Sequence, residues 1–126
     1  MPKMNTIGWF DIYVTDLPRA AAFYETVFDC SLEDIGDLTG ETQMRAFPTD
    51  MSLYGAGGAL SKSPHAQPGA GGTIVYFNTK DCTAEETRVT AAGGQVLRPK
   101  FSIGEFGFVS LCKDTEGNIF GLSSMA

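Results

Sequence analysis

The chain has 126 residues, of which 43% are hydrophobic and 19% are charged, and its formal net charge is −6. These values fit one compact globular domain and argue against a wholly disordered chain. The acidic balance, with scattered lysines and arginines, makes nucleic acid and anionic membrane surfaces poor candidates for partners.

The three cysteines, Cys30, Cys82 and Cys112, form an odd count without a Cys-x-x-Cys pair. This pattern argues against a disulfide framework and a structural zinc site, and favours free thiols in a reducing compartment. Residues 1–5 form no apolar signal core, and no apolar run reaches the length of a membrane span. A cytoplasmic protein without a membrane segment is therefore the expectation.

The first predicted element is a strand over residues 7–14, where side chains alternate with a period of two. Its apolar face carries Phe10, Ile12 and Val14, and its mixed face carries Trp9, Asp11 and Tyr13. Asp16 then lies where a helix N-cap belongs, and Pro18 lies in the first turn. Apolar residues at helical spacing predict a helix of about three turns that reaches Phe28.

Short strands are predicted over residues 32–35, 43–47 and 55–60, with turns between them. Residues 61–72 are rich in glycine and proline and hold no large apolar side chain, so they read as a linker. The chain is thus predicted to be one domain in which module one spans 5–60 and module two spans 73–126.

Module two repeats the order of elements in module one. A strand is predicted over 73–79, and a helix follows Asp81, with Thr83 and Glu86 in capping-box spacing. The helix ends at Ala92, before Gly93 and Gly94. Strands over 95–98, 106–112 and 118–123 complete an α+β pattern of two tandem βαβββ modules. One such module leaves a sheet face uncovered, so two modules are expected to pair around a shared cleft, with the helices outside.

Several stretches resemble the vicinal oxygen chelate superfamily, which includes glyoxalases, bleomycin-resistance proteins and dioxygenases. Residues 12–17 and 22–28 resemble its first strand and helix, and 76–81 with 92–94 resemble the start of its second module. Residues 114–122, Asp-Thr-Glu-Gly-Asn-Ile-Phe-Gly-Leu, resemble its late signature. The resemblance implies a curved mixed sheet with a cleft for a small organic ligand. It also implies a homodimer, since many members build the cleft across two chains.

The superfamily's metalloenzymes take metal ligands from four inward positions. These correspond to Trp9, Ala59, Ile74 and Gly121, and none of the four binds a divalent cation through its side chain. The only histidine, His65, lies in the predicted linker, where a solvated loop residue is expected. The comparison therefore implies no metal cofactor of the usual form. A metal-dependent glyoxalase-like enzyme with unusual ligands is the alternative.

Strand alternation predicts which side chains line the cleft. The candidate ligand-binding residues are Trp9, Asp11, Tyr13, Ile74, Tyr76, Asn78, Gly121 and Ser123. Arg45 is a further candidate, for an anionic group of the ligand, although a surface salt bridge is its commoner fate. The aromatic residues of this set can stack a planar ligand. The alternative is that they fill the cleft by packing on one another.

Asp11 is the candidate catalytic residue, since a carboxylate among aromatic side chains suits proton transfer or a cationic ligand group. The alternative is a carboxylate satisfied by Arg45 or by backbone donors. The sequence therefore favours a small-molecule binding protein, similar to the drug-sequestering members that need no metal. The other hypotheses are a lyase, isomerase or dioxygenase-type enzyme of the same superfamily, and a scaffold with a vestigial pocket.

Overall fold

The computed structural model describes residues 5–36, 42–64 and 66–126. Over these residues the chain forms two four-stranded sheets and two α-helices, in the order β-α-β-β-β for each half. The predicted fold class is confirmed. His65 lies outside the described residues, so the expectation for it stays a prediction.

Module one consists of β1 (Trp9–Tyr13), α1 (Leu17–Phe28), β2 (Glu33–Gly36), β3 (Gln43–Ala46) and β4 (Gly57–Lys62). Asp16 caps α1, because its carboxylate accepts the backbone N–H of Arg19 at 3.0 Å. Strand β4 runs two residues into the predicted linker. It does so because it pairs on both sides, with β1 and with β3, as far as Ser61 and Lys62.

Module two consists of β5 (Val75–Asn78), α2 (Cys82–Ala91), β6 (Gln95–Ser102), β7 (Phe108–Lys113) and β8 (Ile119–Ser124). Asp81 caps α2 and accepts the backbone N–H and the hydroxyl of Thr83. These bonds, together with one from Lys100, lower the pKa of Asp81 to about 2. The predicted capping box was wrong. Glu86 instead accepts the backbone N–H of Lys100 and the hydroxyl of Ser110, on strands β6 and β7.

Each sheet places its first strand at one edge, in the orders β1-β4-β3-β2 and β5-β8-β7-β6. The first strand pairs in parallel with the last strand of its module, and the remaining pairs are antiparallel. The two modules therefore share one topology, although their sequences differ.

A single aromatic core joins the two modules. The ring of Tyr24 on α1 lies 5.6 Å from that of Phe47 in module one, 5.8 Å from that of Phe77 and 5.6 Å from that of Phe120, both in module two. Helix α1 therefore packs on residues of both sheets. The opposite face of α1 is exposed, as expected for a helix on the outside of the modules.

The turn between β7 and β8, residues 114–118, holds module two against module one. The hydroxyl of Tyr24 donates to Asp114 at 2.7 Å, and the side-chain amide of Asn118 donates to the carbonyl of Tyr13 at 2.9 Å. Burial and the neighbouring Asp114 raise the pKa of Tyr24 well above its usual value, so the phenol keeps its proton. The late signature is thus an inter-module contact in this chain.

Candidate functional site

The burial of the side chains of β1 confirms the alternation predicted for this strand. Ile12 is buried and Phe10 packs against the core, whereas Trp9 and Asp11 are exposed. In the parallel pairing with β4, Trp9 lies beside Gly57 and Asp11 beside Ala59. Side chains on this mixed face of module one therefore lie beside small residues, of which Gly57 is covered by Thr49 and Ala59 is fully buried.

Module two presents an equivalent mixed face. Tyr76 pairs with Gly121 and Asn78 pairs with Ser123, as the parity of these strands predicts. A methyl group added to Gly121 would lie well inside van der Waals contact with the ring of Tyr76, so this ring covers the glycine. Because Gly121 has no side chain, the ring of Tyr76 can pack directly against the backbone of β8.

The first strands of the two modules border one open hollow of about 850 Å³. Of the candidate residues, those that line it are Trp9, Ile74, Tyr76, Asn78 and Ser123. The rings of Phe10, Phe28, Phe47 and Phe77 line it as well. Trp9 and Tyr76 are 46% and 47% exposed, so the space beside them is open to solvent. The structure thus brings five of the nine candidate ligand-binding residues to one cavity.

Asp11 and Tyr13 line a separate cavity of about 230 Å³, together with residues of the linker. The indole N–H of Trp9 donates to the Asp11 carboxylate at 3.0 Å. The partner of Asp11 is thus neither Arg45 nor a backbone donor, the two alternatives drawn from the sequence. Asp11 stands beside the larger hollow and orients one of its walls.

Arg45 does not join the other candidates. Its strand pairs with β4 so that Arg45 lies opposite Leu60, which is fully buried in the core. Residues paired across an antiparallel ladder share a face, so Arg45 belongs to the face that packs against the helices. This placement follows from the register of β3, which the sequence alone does not reveal.

Some residues of the hollow were not among the candidates. Ile7, Cys30 and Tyr54 line it, and Tyr54 is 86% exposed. Burial and the neighbouring carboxylates of Glu25 and Asp29 raise the pKa of the Cys30 thiol, so it remains protonated and is a poor nucleophile. Tyr54 lies in the loop between β3 and β4, where no periodic pattern indicates which way a side chain points.

A divalent metal does not fit the four inward positions. Trp9, Ala59, Ile74 and Gly121 offer an indole, two aliphatic side chains and no side chain, whereas Zn²⁺ and related ions need carboxylate, imidazole or thiolate ligands. Asp11, the nearest carboxylate in register, is hydrogen-bonded to Trp9. Within residues 5–36, 42–64 and 66–126, no group of three or more His, Cys, Asp or Glu side chains converges on one point.

In the described part of the chain, neither helix is long and apolar enough to cross a bilayer.

Comparison with protein families gives a match to the model of the Glyoxalase/Bleomycin resistance protein/Dioxygenase superfamily over residues 6–122. Among curated proteins, the chain is 30% identical over 123 residues to a protein provisionally named glyoxylase CFP32, found in Mycobacterium tuberculosis and Mycobacterium bovis. The match covers 95% of this chain and 46% of that protein. The chain therefore spans about half the length of these relatives.

Solved structures with the same fold are more distant in sequence. An antibiotic binding protein from a Streptomyces species is 23% identical, with a TM-score of 0.68 and 100% coverage of both chains. A glyoxalase-related enzyme from Fulvimarina pelagi is 19% identical, with a TM-score of 0.66 over 96% of this chain and 88% of that one. A mutant glyoxalase I from Zea mays is 17% identical, with a TM-score of 0.73 over 94% of this chain and 44% of that one.

Proposed function

The chain belongs to the glyoxalase/bleomycin resistance protein/dioxygenase superfamily, and we propose that it binds a small planar organic molecule in the hollow between its modules, without a divalent metal. The observation that carries the proposal is the pair Trp9 and Tyr76. These two large aromatic side chains come from different modules and are about half exposed beside one cavity. Exposing aromatic rings to water costs free energy, and a ligand that stacks on the rings displaces this water.

The size and lining of the hollow suit such a ligand. Small-molecule sites usually enclose about 300–1,000 Å³ and combine apolar walls with a few polar groups. Here the aromatic rings supply the walls, and Asn78 and Ser123 supply an amide and a hydroxyl. One protein with this fold is an antibiotic binding protein, so the fold serves ligand binding in at least that case.

We propose that binding needs no metal, because the side chains at the four inward positions cannot act as metal ligands. The positions that would hold the ion carry no suitable side chains, and the carboxylate of Asp11, two residues from Trp9 on the same strand, is hydrogen-bonded to Trp9. Elemental analysis of protein purified without chelator tests this point. A divalent metal present at one equivalent per chain would contradict it.

We also expect a cytoplasmic homodimer. The rim of the hollow carries exposed apolar side chains, at Ile7 and Tyr54, which a second chain would cover. The curated relatives are about twice as long as this chain, so two copies of this chain would together match the length of one such relative. Sedimentation velocity measures the oligomeric state, and a monomer at micromolar concentration would contradict this expectation.

A thermal-shift screen against planar aromatic compounds, cationic and neutral, tests the binding function. A ligand that binds only the folded state raises the melting temperature. A hit that is lost in Tyr76→Ala and retained in the control Tyr13→Ala, outside the larger hollow, supports this site. Conversion of a hit to product, lost in Asp11→Asn, would favour an enzyme instead. If no compound raises the melting temperature and a crystal structure shows the cleft filled by side chains, a scaffold with a vestigial pocket would be favoured instead.

A further inference from the structure

The mixed face of module two extends beyond the hollow, across all four strands of its sheet. The register joins Tyr76 on β5, Gly121 on β8, Leu111 on β7 and Arg98 on β6 in a single row. Paired residues share a face, so Arg98 lies on the same face as Tyr76. The two are three strand spacings apart, or roughly 14 Å between their backbones. The row therefore runs from an aromatic wall of the hollow to a cation.

A second row orients this cation. It joins Asn78, Ser123, Val109 and Phe101 on the same four strands. The guanidinium carbon of Arg98 lies 3.5 Å from the centroid of the Phe101 ring. At this distance a guanidinium stacks on the ring face and is held there by a cation–π interaction. Its N–H groups are left at the edge of the stack, where they can donate to a planar anion in two parallel hydrogen bonds.

Arg98 differs from the other described arginines in its surroundings. Arg19 is paired with Glu116 and Arg88 with Glu85, whereas Arg98 forms no ion pair with a described carboxylate. Arg45 also lacks such a pair among these residues, but it lies on the face that packs against the helices. Arg98 is thus the arginine on the mixed face of module two whose charge is free to meet a ligand.

The surface between Arg98 and the hollow suits the apolar body of a ligand. Gly121 adds no side chain, and Leu111 and Val109 are apolar. The ring of Tyr76 covers Gly121 and Val109 is buried, so Leu111, which is partly exposed, supplies the apolar surface between this ring and the stacked guanidinium of Arg98. A molecule of about 10 Å can cross Leu111 and reach both Tyr76 and Arg98, given the spacing of the strands.

We propose that the ligand of this site is an aromatic carboxylate, whose ring lies against Tyr76 and whose carboxylate is bound by Arg98. The inference deepens the proposed function and rests on it. It names the chemical class of ligand and adds Arg98 as the residue that determines specificity. A neutral molecule of the same shape keeps the stacking on Tyr76 and loses the two charge-assisted hydrogen bonds.

The test uses two probes of the same shape, biphenyl-4-acetate and its neutral amide, biphenyl-4-acetamide. Isothermal titration calorimetry at low ionic strength measures the dissociation constant of each. Wild-type protein is expected to bind the acid about tenfold more tightly than the amide, the effect of a hydrogen-bonded charge at an exposed site. Arg98→Gln should abolish this preference and leave affinity for the amide unchanged. Arg45→Gln, on the other face of the sheet, is the matched control and should retain the preference.

The outcomes separate this inference from the proposed function. If Arg98→Gln keeps the preference for the acid, the assignment of Arg98 is wrong. If wild-type protein binds the two probes equally, the anionic class is wrong, whereas binding of planar molecules in the hollow stands. If neither probe binds at millimolar concentration, the assignment fails, and the thermal-shift screen decides the proposed function separately. Added salt should weaken the preference, because the charges are exposed.

Discussion

The carboxylate of Glu116 accepts two hydrogen bonds from the guanidinium of Arg19, at 2.7 Å and 2.9 Å, across 97 positions of sequence. The same carboxylate accepts the backbone N–H groups of Thr15 and Asp16 at the start of α1. Its side chain is fully buried although Arg19 is half exposed. One residue of the β7–β8 turn therefore fixes module two to the first helix of module one.

Replacing Glu116 with Gln should destabilise the fold by about 2 kcal/mol, because hydrogen bonds to a charged group are worth more than neutral ones. The amide keeps the size of the side chain and removes the charge. Urea unfolding at neutral pH measures the effect. Glu105→Gln, at an exposed position in the 3-10 turn Gly104–Phe106, is the control and should leave the free energy of unfolding nearly unchanged.

The contribution of Glu116 should disappear in acid. Burial by itself would raise its pKa, but the hydrogen bonds from Arg19, Asp16, Thr115 and Thr15 outweigh it and lower the value from 4.5 to about 2. A carboxyl whose pKa is lower in the folded state stabilises the fold above its unfolded pKa and loses that effect as the pH falls. The stability difference between wild type and Glu116→Gln should therefore shrink between pH 4.5 and about 2. A difference that stays constant over this window would contradict the pairing.

Tyr24→Phe should cost about 1–2 kcal/mol of stability, because it removes one buried hydrogen bond to Asp114 and keeps the aromatic packing. Asp114 retains the N–H groups of Glu116 and Asn118, so its carboxylate is not left without donors. Thermal unfolding measures the change. Tyr54→Phe alters a hydroxyl of an exposed ring and is expected to have no effect on stability; equal losses in both variants would argue against the buried contact.

Gly121→Ala should reduce binding of any planar ligand by at least about tenfold, with a cost in stability of about 1 kcal/mol. The added methyl group displaces the ring of Tyr76, which is half exposed and can swing outward. Ligand affinity by calorimetry checks this expectation. Gly69→Ala is the control, since an added methyl group there meets no atom within 4 Å. Unaltered affinity in Gly121→Ala would mean that the Tyr76 ring is not part of the site.

Much of the fold follows from local patterns in the sequence. Alternation around Trp9 predicts both faces of β1, and Asp16 and Asp81 predict where the helices begin. Contacts between distant residues follow no local pattern. Glu116 was recognised only as part of a signature, since nothing near it in the sequence indicates that it meets Arg19.

The candidate site was predicted in part, and the two arginines show why. Arg45 was a candidate because a guanidinium can bind an anionic group of a ligand, but the pairing with Leu60 places it on the core face. Arg98 was missed because β6 contains two irregularities, on either side of this residue, so alternation cannot be counted along the strand. Pro99, which lacks a backbone donor, lies in this edge strand and favours such a break.

Titration of the intrinsic fluorescence of Trp9, the only tryptophan, tests the central claim most directly. Chelator-treated protein is titrated with a planar aromatic compound that raises its melting temperature. A saturable change in Trp9 emission, at the affinity found by calorimetry, is the expected result. Binding that leaves the emission unchanged, or that appears only after a divalent metal is added back, would contradict a metal-free site beside Trp9.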